Sequence, residues 1–343
     1  MDAVLKALQV SAPTLLGLPN VVGVGRGDKF VKGESTGRPA VTVLVKQKLP
    51  KDALQACDLV PMSIADAYTD VIEVGEVVAL GVPSLAGPNI TRTERHRPAM
   101  PGVSAGHYKV SAGTFGAVVY DIKTGEPLLL SNCHVFANSS NGKDGRCKIG
   151  DPIYQPGPYD GGKKEDTIAT LHNFIPVYMT STSSSCPVAA AVESGLNRVV
   201  KWFRRSYEVR LYKRASTVNL VDAATARPLK RDYITDEIVG IGVPKGMAEA
   251  TVGMKVRKSG RTSGLNSGTV KVVQATIKVG MGDAGDATFS DQIVTTHIAQ
   301  PGDSGSLVVN EQGQAVGLLS AGSDTVSIFG RMKNVCDALS IRL

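Results

Sequence analysis

Long apolar runs, paired cysteines and aromatic residues are what this chain has least of, and each shortage removes a class of protein. No stretch reaches the roughly 18 consecutive apolar residues of a membrane-spanning helix, and the longest apolar patches are strand-sized. The 5 cysteines stand at positions 57, 133, 147, 186 and 336 with no C-x-x-C and no paired spacing, which argues against a disulfide framework and a zinc site. An export signal is not expected either. Asp2 stands where such a signal carries positive charge, and Val4, Leu5 and Leu8 recur at helical spacing instead of forming one apolar block. A cytoplasmic protein without metal or cofactor is the expectation.

Aromatic residues make up 5% of the chain, but 42% is hydrophobic and 37 of the 343 residues are glycine. Such a chain buries a core and turns often, which excludes collagen-like and disordered classes. At roughly 150 residues per domain there is room for about two. The net charge is +7. Nearly all of it falls between Arg198 and Arg214, where Arg198, Lys201, Arg204, Arg205, Arg210, Lys213 and Arg214 face Glu208 alone. A stripe of this kind suits nucleic acid, anionic lipid or an acidic partner, and equally a solvated helix face.

The chain changes character near residue 90. Before it, VVGVG (21–25), AVTVLVK (40–46) and TDVIEVG (69–75) read as strands, and LPKDALQAC reads as helical after Pro50, so residues 1–81 are expected to form a small α/β domain. GVGRGDKFVKGES lacks the G-K-[ST] of a phosphate-binding loop. Residues 82–112, with Pro83, Pro88, Pro98 and Pro101 and no apolar periodicity, read as a Pro-rich linker. From Gly113 on, short β-rich runs separated by Gly, Pro and Asp turns predict an antiparallel barrel or sandwich. A helical insertion of about 178–215 interrupts them. Within it, Val192, Leu196, Val199 and Phe203 share one face with the basic residues turned away. MKNVCDALSI reads as a terminal helix. Asp283, Asp286 and Asp291 miss the spacing of a calcium loop.

The run QPGDSGSLVVN (300–310) carries the clearest chemistry, because Gly302 and Gly305 let backbone N–H groups around Ser304 converge as oxyanion stabilisation requires. A serine needs a base within reach and a third group to orient that base. His134 leads among the histidines, at the end of the apolar run LLLSNCHVF. His96 sits among arginines, His107 in the linker, His172 in a strand and His297 in the strand feeding the serine.

LLLSNCHVF and PGDSGSLVV resemble the histidine and serine motifs of chymotrypsin-fold, trypsin-like serine peptidases. KSGRTSGLNSGTV (258–270) resembles a turn of the bacterial members, and AVGLLSAG followed by SIFGRM resembles their substrate-binding and closing strands. The resemblance implies an all-β double antiparallel barrel, here with a helical insertion and an added N-terminal α/β domain, acting as a serine endopeptidase on protein or peptide substrates. It makes Ser304 the nucleophile and His134 the base. Asp222 in NLVDAATA is favoured as the acid over Asp166 in EDTIATL. The oxyanion hole is expected in the loop of Gly302, Asp303 and Ser304, and substrate binding at Ile298, Ser320, Ala321 and Gly322.

Asp303 is expected to have an internal basic or backbone partner, and Cys133 to be a small buried hydrophobe. Ile298 at the pocket base would favour apolar or small side chains at the cleaved position, with His297 as an alternative reader of an acidic one. A homo-oligomer is expected, with the basic helix 198–214 as a site for a regulatory partner. The rival reading keeps the fold as a latent or regulatory protease-like module that binds a partner or nucleic acid through that helix.

Overall fold

The computed structural model describes residues 2–31, 34–79, 91–183, 187–204, 209, 212–214 and 217–343. Two curled antiparallel sheets form the double barrel. The first is 8-stranded, running Ile341–Arg342, Ala117–Asp121, Pro127–Ser131, Ala224–Pro228, Thr167–Phe174, Pro152–Tyr154, Ser104–His107 and Gly113–Thr114. It curls because the stretch from Gly113 pairs first with Ser104 and Ala105 and then, from Gly116 on, with Leu128–Leu130. The second barrel closes on itself. Lys255–Gly260 pairs with Leu307–Asn310 on one side and with Gly264–Gly280 on the other, and Ala315–Gly322, Val326–Arg331 and Asp286–Thr296 complete the ring.

The run Leu128-Leu129-Leu130 shows why a strand can be apolar without alternation. Successive side chains point to opposite faces. Leu129 packs inside the first barrel near Ile153 and Ile168, whereas Leu128 and Leu130 join Leu307, Val309 and the terminal helix between the barrels. That helix, Met332–Leu339, buries Met332, Val335, Cys336 and Leu339 at helical spacing. Beyond it, Ile341 and Arg342 pair with Asp121 and Tyr120, so the tail of the second barrel is stitched into the first.

The N-terminal segment does not stand apart as the expected 1–81 domain. Its helix Ala3–Leu16 is capped by Asp2, which accepts from the Val4 N–H at 3.0 Å, and it packs Val4, Ala7, Leu8 and Leu15 on Val21, Val41 and Val43. Strand Val21–Val31 then joins the edge of Gly264–Gly280, so its sheet extends the second barrel to 11 strands. The glycines of VVGVGRG make this approach possible. A Cβ on Gly25 would come within 2.5 Å of Val272 Cγ1.

The 82–112 linker is corrected too. Residues 82–90 lie outside the described residues, but 91–112 belong to the first barrel, with Ala99, Val103 and Ala105 fully buried. Arg92 ties this stretch to the second barrel, donating from Nη1 to Gly102 O at 2.9 Å and Ser259 Oγ at 2.8 Å. The insertion leaves the barrel after Met179, which bridges to Ala287, and returns at Asn219, which bridges to Phe289.

His107, expected in the linker, is instead buried in Ser104–His107 with Nε2 at 3.0 Å from Asp151 Oδ2. Burial holds its pKa below the ordinary 6.5 against the pull of Asp151. The unfolded chain therefore binds a proton there before the folded one does. The contribution is complete above about pH 6.5 and is lost as pH falls through the lower folded value. We expect the melting temperature to drop between pH 7 and 5, and His107→Gln to start lower at pH 7 but to decline less steeply, as read by calorimetry across that range.

Candidate active site

His134 sits on the one-turn helix Cys133–Phe136, which the chain enters directly from strand Pro127–Ser131. Cys133, Val135 and Phe136 are buried, whereas His134 is partly exposed. Asp222, 88 residues later, meets it: Asp222 Oδ2 lies 2.5 Å from His134 Nδ1. Asp222 Oδ1 also accepts from the His134 backbone N–H at 3.1 Å, and Asn132 Nδ2 donates to the Asp222 carbonyl at 2.8 Å. A carboxylate at Nδ1 assigns the ring proton there and leaves Nε2 as the acceptor. That Nε2 is buried and has no hydrogen-bond partner among the described residues. Asp166 is engaged elsewhere, with Arg95 at 3.1 Å.

Ser304 is fully buried on the loop between Thr296 and Leu307, and its Oγ donates to the Ser320 carbonyl at 3.3 Å. Two positive-φ glycines shape the loop, Gly302 at +96° and Gly305 at +91°. Asp303 N–H donates to Gln300 O at 3.0 Å, closing a turn with Pro301 and positive-φ Gly302 at its centre, the pattern of a type II turn. This corrects one expectation. The Asp303 N–H is spent inside the turn, donating to Gln300 O, and is not free to face an oxyanion. No Cβ fits at Gly302, where it would meet Thr262 Oγ1 at 2.3 Å.

The Asp303 side chain fixes the loop from below. It is fully buried and pairs with Lys258 Nζ at 2.7 Å, Lys258 being equally buried. Its carboxylate also accepts from the N–H groups of Thr262 at 2.8 Å, Ser263 at 3.0 Å and Gln300 at 2.9 Å, and from Ser263 Oγ. Burial opposes its charge, but the Lys258 ammonium and these donors hold its pKa below the usual carboxylate range. For Lys258, burial outweighs Asp303 and the pKa falls below the ordinary lysine value. The first barrel clamps the same loop through Thr114, which donates from N to Ser304 O at 2.7 Å and from Oγ1 to Gly302 O at 3.0 Å.

The other expected residues distribute unevenly. Ile298 is packed into the apolar cluster of the second barrel with Val256, Val270 and Val308, with its N–H on Ser327 Oγ at 3.0 Å. It is core, and offers no open pocket floor. His297 is exposed, with Nδ1 at 2.9 Å from Ser323 O. Ser320, Ala321 and Gly322 lie on strand Ala315–Gly322 beside Ser304, but that edge is already paired. Val78–Ala79 lies antiparallel on it, Ala79 opposite Ala321 and Val78 opposite Gly322. Nothing in the sequence flagged this pairing, Thr114, or Lys258 as the partner of Asp303. Cys133 is fully buried, and burial together with Asp222 pushes its pKa well up, so it is an inert thiol.

No family model matches the chain. Serine protease 2 of Streptomyces fradiae is 42% identical over 78 residues, which is 23% of this chain and 42% of that protein. The chain thus aligns with less than half the length of that relative. Among solved structures, it is similar to a Nocardiopsis protease (16% identity, 71% of this chain and 99% of that one, TM-score 0.44). It is also similar to Thermobifida fusca protease A (16% identity, 71% and 98%, TM-score 0.45).

Removing one member of a buried ion pair leaves the other uncompensated, at a cost of about 3–5 kcal/mol. We expect Lys258→Met to destabilise by that order in urea unfolding, and the double variant Lys258→Met/Asp303→Leu to recover part of the loss.

Proposed function

We propose that this protein is a serine endopeptidase that hydrolyses peptide bonds through an acyl-enzyme. Ser304 is the nucleophile, His134 the general base and later the acid, Asp222 the group that orients the imidazole, and the N–H groups of Gly302 and Ser304 the oxyanion donors. The observation that carries the reading is the short His134–Asp222 bond, which leaves a buried, unpartnered Nε2 acceptor. Nε2 takes the Ser304 proton as Oγ attacks the carbonyl carbon. The tetrahedral oxygen gains charge at the loop donors, and on collapse the C–N bond breaks as Nε2 passes the proton to the leaving amine, leaving the acyl group on Ser304 Oγ. Water then repeats the sequence in reverse, assisted by the same imidazole.

Intact-mass analysis after a fluorophosphonate probe tests this. A single adduct is expected on the wild type and none on Ser304→Ala or His134→Ala. Asp222→Asn should lose about 10⁴-fold in turnover, because the amide favours the wrong tautomer. Absence of any adduct on folded wild type and on the released form described next would sink the reading.

One observation supports latency in the chain as it stands. Peptide substrates bind such an edge as an added strand, using the main-chain groups of Ser320–Gly322. Val78–Ala79 occupies Ala321 and Gly322, and Ser304 Oγ donates to Ser320 O. Ala79→Pro places a ring at the register position opposite Ala321 and weakens that pairing. Peptide hydrolysis is expected to rise at least about tenfold in kcat/KM while fluorophosphonate labelling changes little, since the probe does not need the edge. Equal peptide rates in both forms would refute the latency.

A further inference from the structure

We infer that the helix Pro187–Phe203 of the insertion is a membrane-surface helix that lies flat on an anionic bilayer. This is independent of the peptidase reading. The helix has 17 residues, about 26 Å at 1.5 Å per residue. Val188, Val192, Leu196, Val199 and Phe203 follow one another at intervals of four, four, three and four, which keeps them on one face, and Trp202 borders it. The sequence pattern alone predicts an amphipathic helix without saying what its apolar face meets. In the structure that face is turned to solvent: Leu196 is 44% exposed, Val199 56%, Phe203 73% and Trp202 84%.

The orientation is held from the polar side. Asn197 Nδ2 donates to Val209 O at 2.8 Å and Asn197 Oδ1 accepts from Val209 N–H at 2.7 Å, so the returning chain grips the helix opposite its apolar stripe. The two-stranded ribbon Ser181–Ser183 and Tyr212–Arg214 connects this helix to the barrel. Among the described residues no helix is long and apolar enough to cross a membrane, so the geometry fits one that lies in the interface.

The charge selects the partner. Arg198 and Arg204 are exposed and flank the apolar stripe on its two sides, within the segment that carries nearly all of the net charge. Large apolar side chains entering the acyl boundary, with flanking arginines reaching phosphates, is the arrangement of an interfacial helix on anionic lipid. A nucleic-acid surface would use the arginines but leave Trp202 and Phe203 in water. Arg205, Glu208 and Arg210 of the basic stripe lie outside the described residues.

Trp202 is the only tryptophan in the chain, so intrinsic emission reports on this face directly. With vesicles of phosphatidylcholine and phosphatidylserine at 7:3, we expect a blue shift of Trp202 emission and co-flotation of the full-length protein. Binding should be at least tenfold weaker on pure phosphatidylcholine, and for Leu196→Glu, an exposed change that leaves the far-ultraviolet circular dichroism unaltered. Arg198→Glu/Arg204→Glu should lose the preference for anionic vesicles. Four results would overturn the inference: no shift and no flotation; equal binding to neutral vesicles; a blue shift that depends on protein concentration and ignores vesicles, which would assign the face to a second copy of the chain; or salt-sensitive binding to duplex DNA with vesicles ignored.

Discussion

The buried ion pair of Lys258 and Asp303 is the constraint on which the serine loop depends. A charged pair at zero exposure contributes little net stability by itself, because desolvation offsets the attraction. What it contributes is geometry. With Asp303 satisfied by Lys258, Thr262, Ser263 and Gln300, the turn through Pro301 and Gly302 has one arrangement that leaves no buried charge unmatched. Ser304 follows immediately, so its position is inherited from that arrangement. The lysine comes from the strand Lys255–Gly260 that closes the second barrel, so barrel closure and loop shape are one event.

The first barrel supplies the other half of the site and is held to the same loop. Thr114 donates to both Gly302 O and Ser304 O, while Arg261 from the second barrel donates its N–H to Thr114 Oγ1 and pairs with Asp160 of the first. His134 and Asp222 stand on this barrel, one after its strand Pro127–Ser131 and one before its strand Ala224–Pro228, which pair directly. The 88-residue separation between acid and base therefore costs no precision. The insertion is looped out between two strands whose register is set by the sheet.

Much of this was legible in the sequence because it is local. Strings such as LLLSNCHVF and PGDSGSLVV carry the candidate site residues together with the glycines and apolar anchors that present them, and short alternating runs carry the barrels. What was hidden depended on pairings between distant segments. Residues 91–112 look like a linker because they bury single residues, Ala99, Val103 and Ala105, in an extended path without any period. The run VVGVG reads as a strand, but its sequence does not show that Gly25 is there to let it press against Val272 and Ala275. The insertion helix has the periodicity of a packed helix, and periodicity cannot say whether its apolar face meets protein or something else. Ile298 is apolar in either role, pocket or core, so its type carried no distinction.

The N-terminal segment is built into the second barrel and reaches the strand edge beside Ser304. Its sheet is continuous with the second barrel through Gly264–Gly280, and Val77 N-terminal to the paired dipeptide is itself buried, accepting from the Gly280 N–H at 3.0 Å. Ser323, just past Gly322, donates its hydroxyl to Val74 O. Val74, Val77, Val78 and Ala79 are thus laid along one line, and the last of these covers Ala321. An edge strand left open invites pairing with any extended chain. Here the chain closes that edge with its own backbone, and in the proposed peptidase the contact that prevents unwanted pairing is the one a substrate would need. Specificity of such an arrangement rests on relative stability: a substrate strand must displace a tethered one, whose high effective concentration favours it until the tether or the sheet behind it is loosened.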